Sequence, residues 1–125
     1  MAIEIPGQVV TVAASTDLSA LQFRFMTLDS NGEAAVPAGS TAPIYGVLQN
    51  KPNAQGIAAS IMVNGISKMR PTASTLSVGD LVASSTSGEP IPVAGGDFTV
   101  GRVVRGSSGS TGRIISVQLE PIGTT

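Results

Sequence analysis

The chain contains no cysteine, no histidine and no tryptophan, and only 12% of its residues are charged. Globular domains ordinarily carry roughly a quarter. Each absence removes a class of chemistry. Without cysteine there is no disulfide scaffold and no thiolate nucleophile. Without histidine, the commonest general base and transition-metal ligand near neutral pH is missing. Aromatic residues make up 3%, with a single Tyr, so ring stacking on sugars is disfavoured. No basic run exists, and the net charge of −1 comes from 7 basic and 8 acidic residues spread along the chain. Binding to nucleic-acid phosphates is therefore not expected. No apolar run approaches the roughly 18 residues of a membrane span. The N-terminus, MAIEIPGQVV, carries Glu4 and Pro6 but no Lys or Arg, unlike a secretory signal.

What remains is Val, Ile, Leu, Ala, Ser, Thr and Gly, with a mean hydropathy of +0.30. A chain of 125 residues is expected to form one domain, and it can bury roughly two-thirds of its unfolded surface without disulfides or a metal. So little charge beside so much apolar surface points to a partner or symmetry mate that covers part of it.

Short apolar runs alternate with turn residues, and 15 Gly and 8 Pro supply the punctuation. The strand-like segments are Gln8–Ala14, Phe23–Leu28, Ile44–Leu48, Ile57–Val63, Asp80–Ser84, Phe98–Val104 and Arg113–Leu119, rich in Val, Ile, Phe and Thr. Alternation places Ile115, Val117 and Leu119 on one face, and Phe23 with Phe25 opposite Arg24 and Met26. Both phenylalanines are expected in the core. The one helix candidate is Ser15–Gln22, with Ser15 or Thr16 as its cap. Turns are expected at Asp29-Ser30-Asn31-Gly32, at Ser87-Gly88 and at Gly95-Gly96-Asp97. Gly46 and Gly101, each inside a strand pattern, mark a bulge, a bend or a close backbone approach. No internal repeat is evident. Met1–Gly7, Gln49–Gly56 and Gly106–Gly112 read as mobile. The pattern as a whole predicts a mainly β, single-domain, compact β-barrel or β-sandwich with at most one short helix and an extended N-terminal arm. Residues 1–14 form the arm and first strand, and 15–125 the β-rich body.

Several motifs are excluded by their spacing. Asp29-Ser30-Asn31-Gly32-Glu33 has its Gly too early for a calcium loop and lacks the later bidentate acid, so a hairpin turn is the expectation. Gly106, Gly109 and Gly112 lead into a strand-like run rather than a phosphate-binding helix. Ser and Thr are abundant, but no histidine exists to activate them, and no motif supports a Ser–Lys pair with Lys51 or Lys68. No catalytic residue, metal ligand or cofactor is assigned. Lys68 with Arg70, and Arg102 with Arg105, form small basic pairs. These are either solvated strand charges or contacts to an acidic patch on a partner. Tyr45 is either half-buried at a rim or an interface anchor.

Five segments in order carry a resemblance: Asp17-Leu18-Ser19-Ala20-Leu21-Gln22-Phe23-Arg24-Phe25; Pro43-Ile44-Tyr45-Gly46-Val47-Leu48-Gln49-Asn50-Lys51-Pro52; Val63-Asn64-Gly65-Ile66-Ser67-Lys68; Val78-Gly79-Asp80-Leu81-Val82-Ala83-Ser84; and Gly101-Arg102-Val103. Their order and spacing, over roughly Ser15 to Leu119, resemble the head-decoration, or capsid cement, proteins of tailed bacteriophages. The resemblance implies a β-rich homotrimer on the outer surface of the virion. There it would clamp the major capsid protein and stabilise the expanded shell, with no catalytic residues to carry over. It also implies shell contacts through the N-terminal arm. On this reading Ile3, Ile5, Pro6, Tyr45, Arg102 and Arg105 are the candidate capsid or trimer interface, and neither nucleic acid nor membrane is a partner. The alternative is another phage structural module: a fibre, a baseplate or a carbohydrate-binding β-sandwich domain.

Overall fold

A computed structural model describes residues 5–71, 76–106 and 114–124. They form eleven strands: β1 (Ile5–Pro6), β2 (Val9–Ala13), β3 (Phe25–Leu28), β4 (Ala34–Ala35), β5 (Gly46–Leu48), β6 (Ala58–Met62), β7 (Gly65–Met69), β8 (Leu81–Ser84), β9 (Pro90–Pro92), β10 (Phe98–Arg105) and β11 (Ile115–Thr124). Among the described residues there is no helix. One antiparallel sheet runs β2-β6-β5-β3-β4, and the other runs β1-β7-β11-β10-β8-β9.

The two sheets pack face to face as a β-sandwich. Phe25, Val47 and Met62 from the first sheet share a core with Met69, Val82, Val103, Ile115, Val117 and Leu119 from the second. Neither sheet closes into a barrel. A single parallel bridge, Ala14 to Ala34, joins the two ends of the five-stranded sheet without a continuous ladder.

Every expected strand segment contains a strand. The turn at Asp29 is the expected hairpin turn. Its amide bonds the Glu33 carbonyl (2.9 Å), and Gly32 bonds back to the Asp29 carbonyl (3.0 Å). The Asp29 carboxylate accepts from the amides of Asn31 and Glu33, both at 2.9 Å. Gly32 sits at φ +75°, where a Cβ would strain the chain.

The helix expected at Ser15–Gln22 is replaced by turns. Asp17 spends its carboxylate on the amide and hydroxyl of Ser19 (2.9 and 2.7 Å), a local bond that competes with helix formation. The Leu18 amide bonds Pro52 O (2.9 Å), and the Leu18 side chain is fully buried. Phe23 corrects a second expectation. It lies outside β3 at φ 65° and is half-buried, so it shares no strand face with Phe25. Met26, expected opposite the core, is as buried as Phe25, because the five-stranded sheet is covered on both faces. Its far face holds a second cluster of Ala14, Leu18, Met26, Ala34, Leu48, Ala59 and Ile61.

An internal repeat, not evident in the sequence, emerges from the strand register. β2, β3, β4, β5 and β6 are wired like β7, β8, β9, β10 and β11, with the same order in each sheet; β1 is added to the second. Met26 opposite Gly46 and Phe25 opposite Val47 match Val82 opposite Gly101 and Leu81 opposite Arg102. The loop bonds match too. Phe23 N bonds Leu48 O (2.7 Å) as Gly79 N bonds Val103 O (2.8 Å), and Leu48 N bonds Arg24 O (3.0 Å) as Val103 N bonds Asp80 O (2.9 Å). Ser85 N bonds Glu89 O (2.9 Å), and Gly88 N bonds Ser85 O (3.1 Å), which repeats the turn at Asp29.

The two units stack front to back. Val82, Val103 and Val117 of the second unit correspond to Met26, Leu48 and Ile61 of the first. In the second unit these positions face the first unit; in the first they face the cluster around Leu18. The matching back row of the second unit therefore faces outward.

Other segments expected to be mobile are tied down where they are described. Ile5 and Pro6 pair with Ile66 and Gly65. In Gln49–Gly56, Asn50 bridges to Ala58 O (2.9 Å) and the Ser60 amide (3.0 Å), and Gly56 N bonds Ala14 O (2.9 Å). Residues 107–112 lie outside the described residues.

The turn expected at Gly95-Gly96-Asp97 is closed by Asp97, whose carboxylate accepts from the Ser40 hydroxyl and from the Ala94 amide (2.9 Å). These bonds, the Ser40 bond foremost, hold the Asp97 pKa below its ordinary value, and the Ser19 hydroxyl and amide do the same for Asp17. A depressed folded-state pKa contributes stability above the unfolded value of about 3.9 that is lost as pH falls through the folded value. The melting temperature is expected to fall as pH drops from about 5 towards 3. In Asp97→Asn that fall should be shallower. Equal slopes in a calorimetric pH series would show that Asp97 contributes nothing to it.

Candidate functional site

The residues singled out from the sequence do not form one patch. Paired residues on neighbouring strands share a face, which aligns Ile5, Ile66, Gln118, Arg102 and Leu81 across the outer face of the six-stranded sheet. Ile5 is 56% exposed, and Arg102 and Gln118 are exposed. This is the outward back row of the second unit, where the first unit has the buried Phe25, Val47 and Met62. Arg105 is exposed at the end of β10, beside a register shift in its pairing with β11. Tyr45 lies elsewhere. It is half-buried against the cluster on the far face of the five-stranded sheet, and with Thr27, Leu28, Pro43 and Ile44 it lines a shallow groove. Ile3 and the Pro6 side chain lie outside the described residues.

A site that the sequence did not suggest lies between the two units. Ser19, Ala20, Gln22, Arg24, Lys51 and Arg70 line an open cleft of about 240 Å³. Arg24 directly precedes β3, Lys51 follows β5, and Arg70 directly follows β7, so both sheets contribute. Three of the chain's seven cations meet here, and among the described residues no carboxylate lines the cleft. Arg24 Nη1 donates to Ser87 O (3.3 Å) in the turn between β8 and β9, which steadies its guanidinium at the rim. Gln22 Nε2 donates to Gln49 O (2.9 Å). Asp17, close by in sequence, has its carboxylate bonded to Ser19. These cations are far apart in the chain and belong to no motif, so nothing in the sequence marked them as a group.

Among the described residues no group of three or more His, Cys, Asp or Glu side chains is placed to hold a metal ion. No protein-family model and no curated protein matches the sequence.

Proposed function

We propose that this chain is a structural binding module of the capsid-decoration kind, working as a homotrimer on the outer surface of a phage shell. The observation that carries the reading is the outward row Ile5–Ile66–Gln118–Arg102–Leu81, a β surface of mixed apolar and polar side chains that is exposed at Ile5, Gln118 and Arg102. Three of its members, Leu81, Arg102 and Gln118, correspond to Phe25, Val47 and Met62 of the first unit, which are packed against the other sheet. A row of this composition suits docking onto a folded neighbour. The order of segments resembling the cement proteins supports the same reading. The chain then acts by binding rather than by catalysis. It stabilises whichever lattice state it binds more tightly, and three copies held together convert modest single contacts into firm attachment.

The test has two parts. Light scattering on the purified chain is expected to give the mass of three chains, and the chain is expected to sediment with tailed-phage capsids when co-expressed with their major capsid protein. Arg102→Glu should reduce the amount retained on capsids and leave the melting temperature nearly unchanged, because the side chain is exposed. A monomer that never sediments with shells would overturn the proposal.

A further inference from the structure

We infer that the cleft between Arg24, Lys51 and Arg70 is a recognition site for a carboxylate-bearing segment of a partner protein. This rests on the reading of the chain as a protein-binding module. The first observation is the charge itself. Three cations converge on one open cleft, in a chain with seven in all, and among the described residues no acid lines it to neutralise them. Like charges held together raise the local potential and favour an anion as occupant.

The second observation is independent and comes from the repeat. The backbone register matches Arg24 with Asp80 and Arg70 with Ala13. In the second unit Asp80 bonds the Ser77 amide (2.9 Å), a turn-closing role that arginine cannot fill. The second unit therefore folds without a cation at the place of Arg24, and the first unit without one at the place of Arg70. These two cations are not part of the framework that the units share, and beyond the bond of Arg24 to Ser87 O their charge is available to a ligand.

The occupant follows from the chemistry of the lining. Two guanidinium groups present planar donor forks that match a carboxylate in a bidentate fashion, and Lys51 adds a mobile point charge. Ser19 and Gln22 add neutral polar groups, and Ala20 offers an apolar contact to the stem of an acidic side chain. The cleft is open to solvent, so an extended segment can lie across it.

The test titrates the isotope-labelled chain with a capped glutamate-rich peptide, and separately with inorganic phosphate at equal ionic strength. The peptide is expected to shift the amides of Ser19, Gln22, Arg24, Lys51 and Arg70. Lys51→Gln and Arg70→Gln should each weaken peptide binding about tenfold, the effect of losing one charge-assisted hydrogen bond. Both side chains are exposed, so circular dichroism should match the parent. Arg102→Gln, away from the cleft, should bind the peptide as the parent does. Absence of a peptide shift would overturn the inference. So would peptide affinity unchanged in both cleft variants, or phosphate producing the same shifts at equal concentration. Peptide binding by a chain that fails to sediment with capsids would overturn the proposed function and leave this site standing. Sedimentation without peptide binding would do the reverse.

Discussion

Replacing Phe25 with alanine is expected to destabilise the chain by about 3–5 kcal/mol, lowering the melting temperature by roughly 10–20 °C. Phe25 heads the fully buried side chains ranked by volume. It stands in register with Val47 and packs in the core shared by the two sheets, so its loss leaves a void between units rather than at an edge. That core cannot collapse easily, because both walls are hydrogen-bonded sheets. The Phe25 amide also bonds Gly88 O at 2.7 Å, a backbone link between the units that alanine preserves. The measured loss therefore reports the ring. Phe23→Ala is the comparison. Phe23 is half-buried at φ 65°, and truncating it should cost well under half as much. Chemical denaturation gives both values. A loss below about 1 kcal/mol for Phe25→Ala would mean that the ring carries little of the inter-sheet packing.

The contrast between the two phenylalanines shows where the sequence was legible. Strand segments could be read because β-branched and apolar residues cluster between turn signals, and the core face of β11 could be read: Ile115, Val117 and Leu119 are buried and Gln118 is exposed, although Ser116 is buried too and the strand runs on to Thr124. Alternation failed in β3, β5 and β6 because that sheet is buried on both faces, so in- and out-facing residues are equally apolar. β9 was invisible because Pro90 and Pro92 read as breaks, although an edge strand tolerates them. The repeat was hidden for a related reason. Its matching residues are Gly32 with Gly88, Glu33 with Glu89 and Gly46 with Gly101, mostly small residues that recur anywhere in a Gly-rich chain. The buried positions exchange one apolar side chain for another. Only the register makes the correspondence visible. The basic cleft was illegible for the same reason: its cations meet only after the two sheets stack.

That correspondence makes a paired prediction. Gly46→Ala and Gly101→Ala are each expected to destabilise the protein by about 3 kcal/mol or more, beyond ordinary overpacking. A methyl group at Gly46 would press on the Met62 carbonyl oxygen and lie 2.7 Å from Ile61 Cγ2; at Gly101 it would press on the Gln118 carbonyl oxygen and lie 3.0 Å from Val117 Cγ1. Met62 and Gln118, like Ile61 and Val117, occupy matching places in the two units. The obstacle in each case is backbone in the neighbouring strand, which cannot rotate away as a side-chain tip can. Relief requires the strands to separate, and that breaks ladder bonds in the middle of each sheet. Gly39→Ala and Gly95→Ala form the control pair. Nothing lies within 4 Å of a methyl added at either, and neither has a positive φ. They should be neutral, or stabilising by up to about 1 kcal/mol through a less flexible unfolded chain. If one of Gly46→Ala and Gly101→Ala is tolerated and the other is not, the two units do not share their closest strand approach. If both fail while both controls hold, the glycines inside the strands are there for contact distance. The same packing rule then governs each half of the molecule.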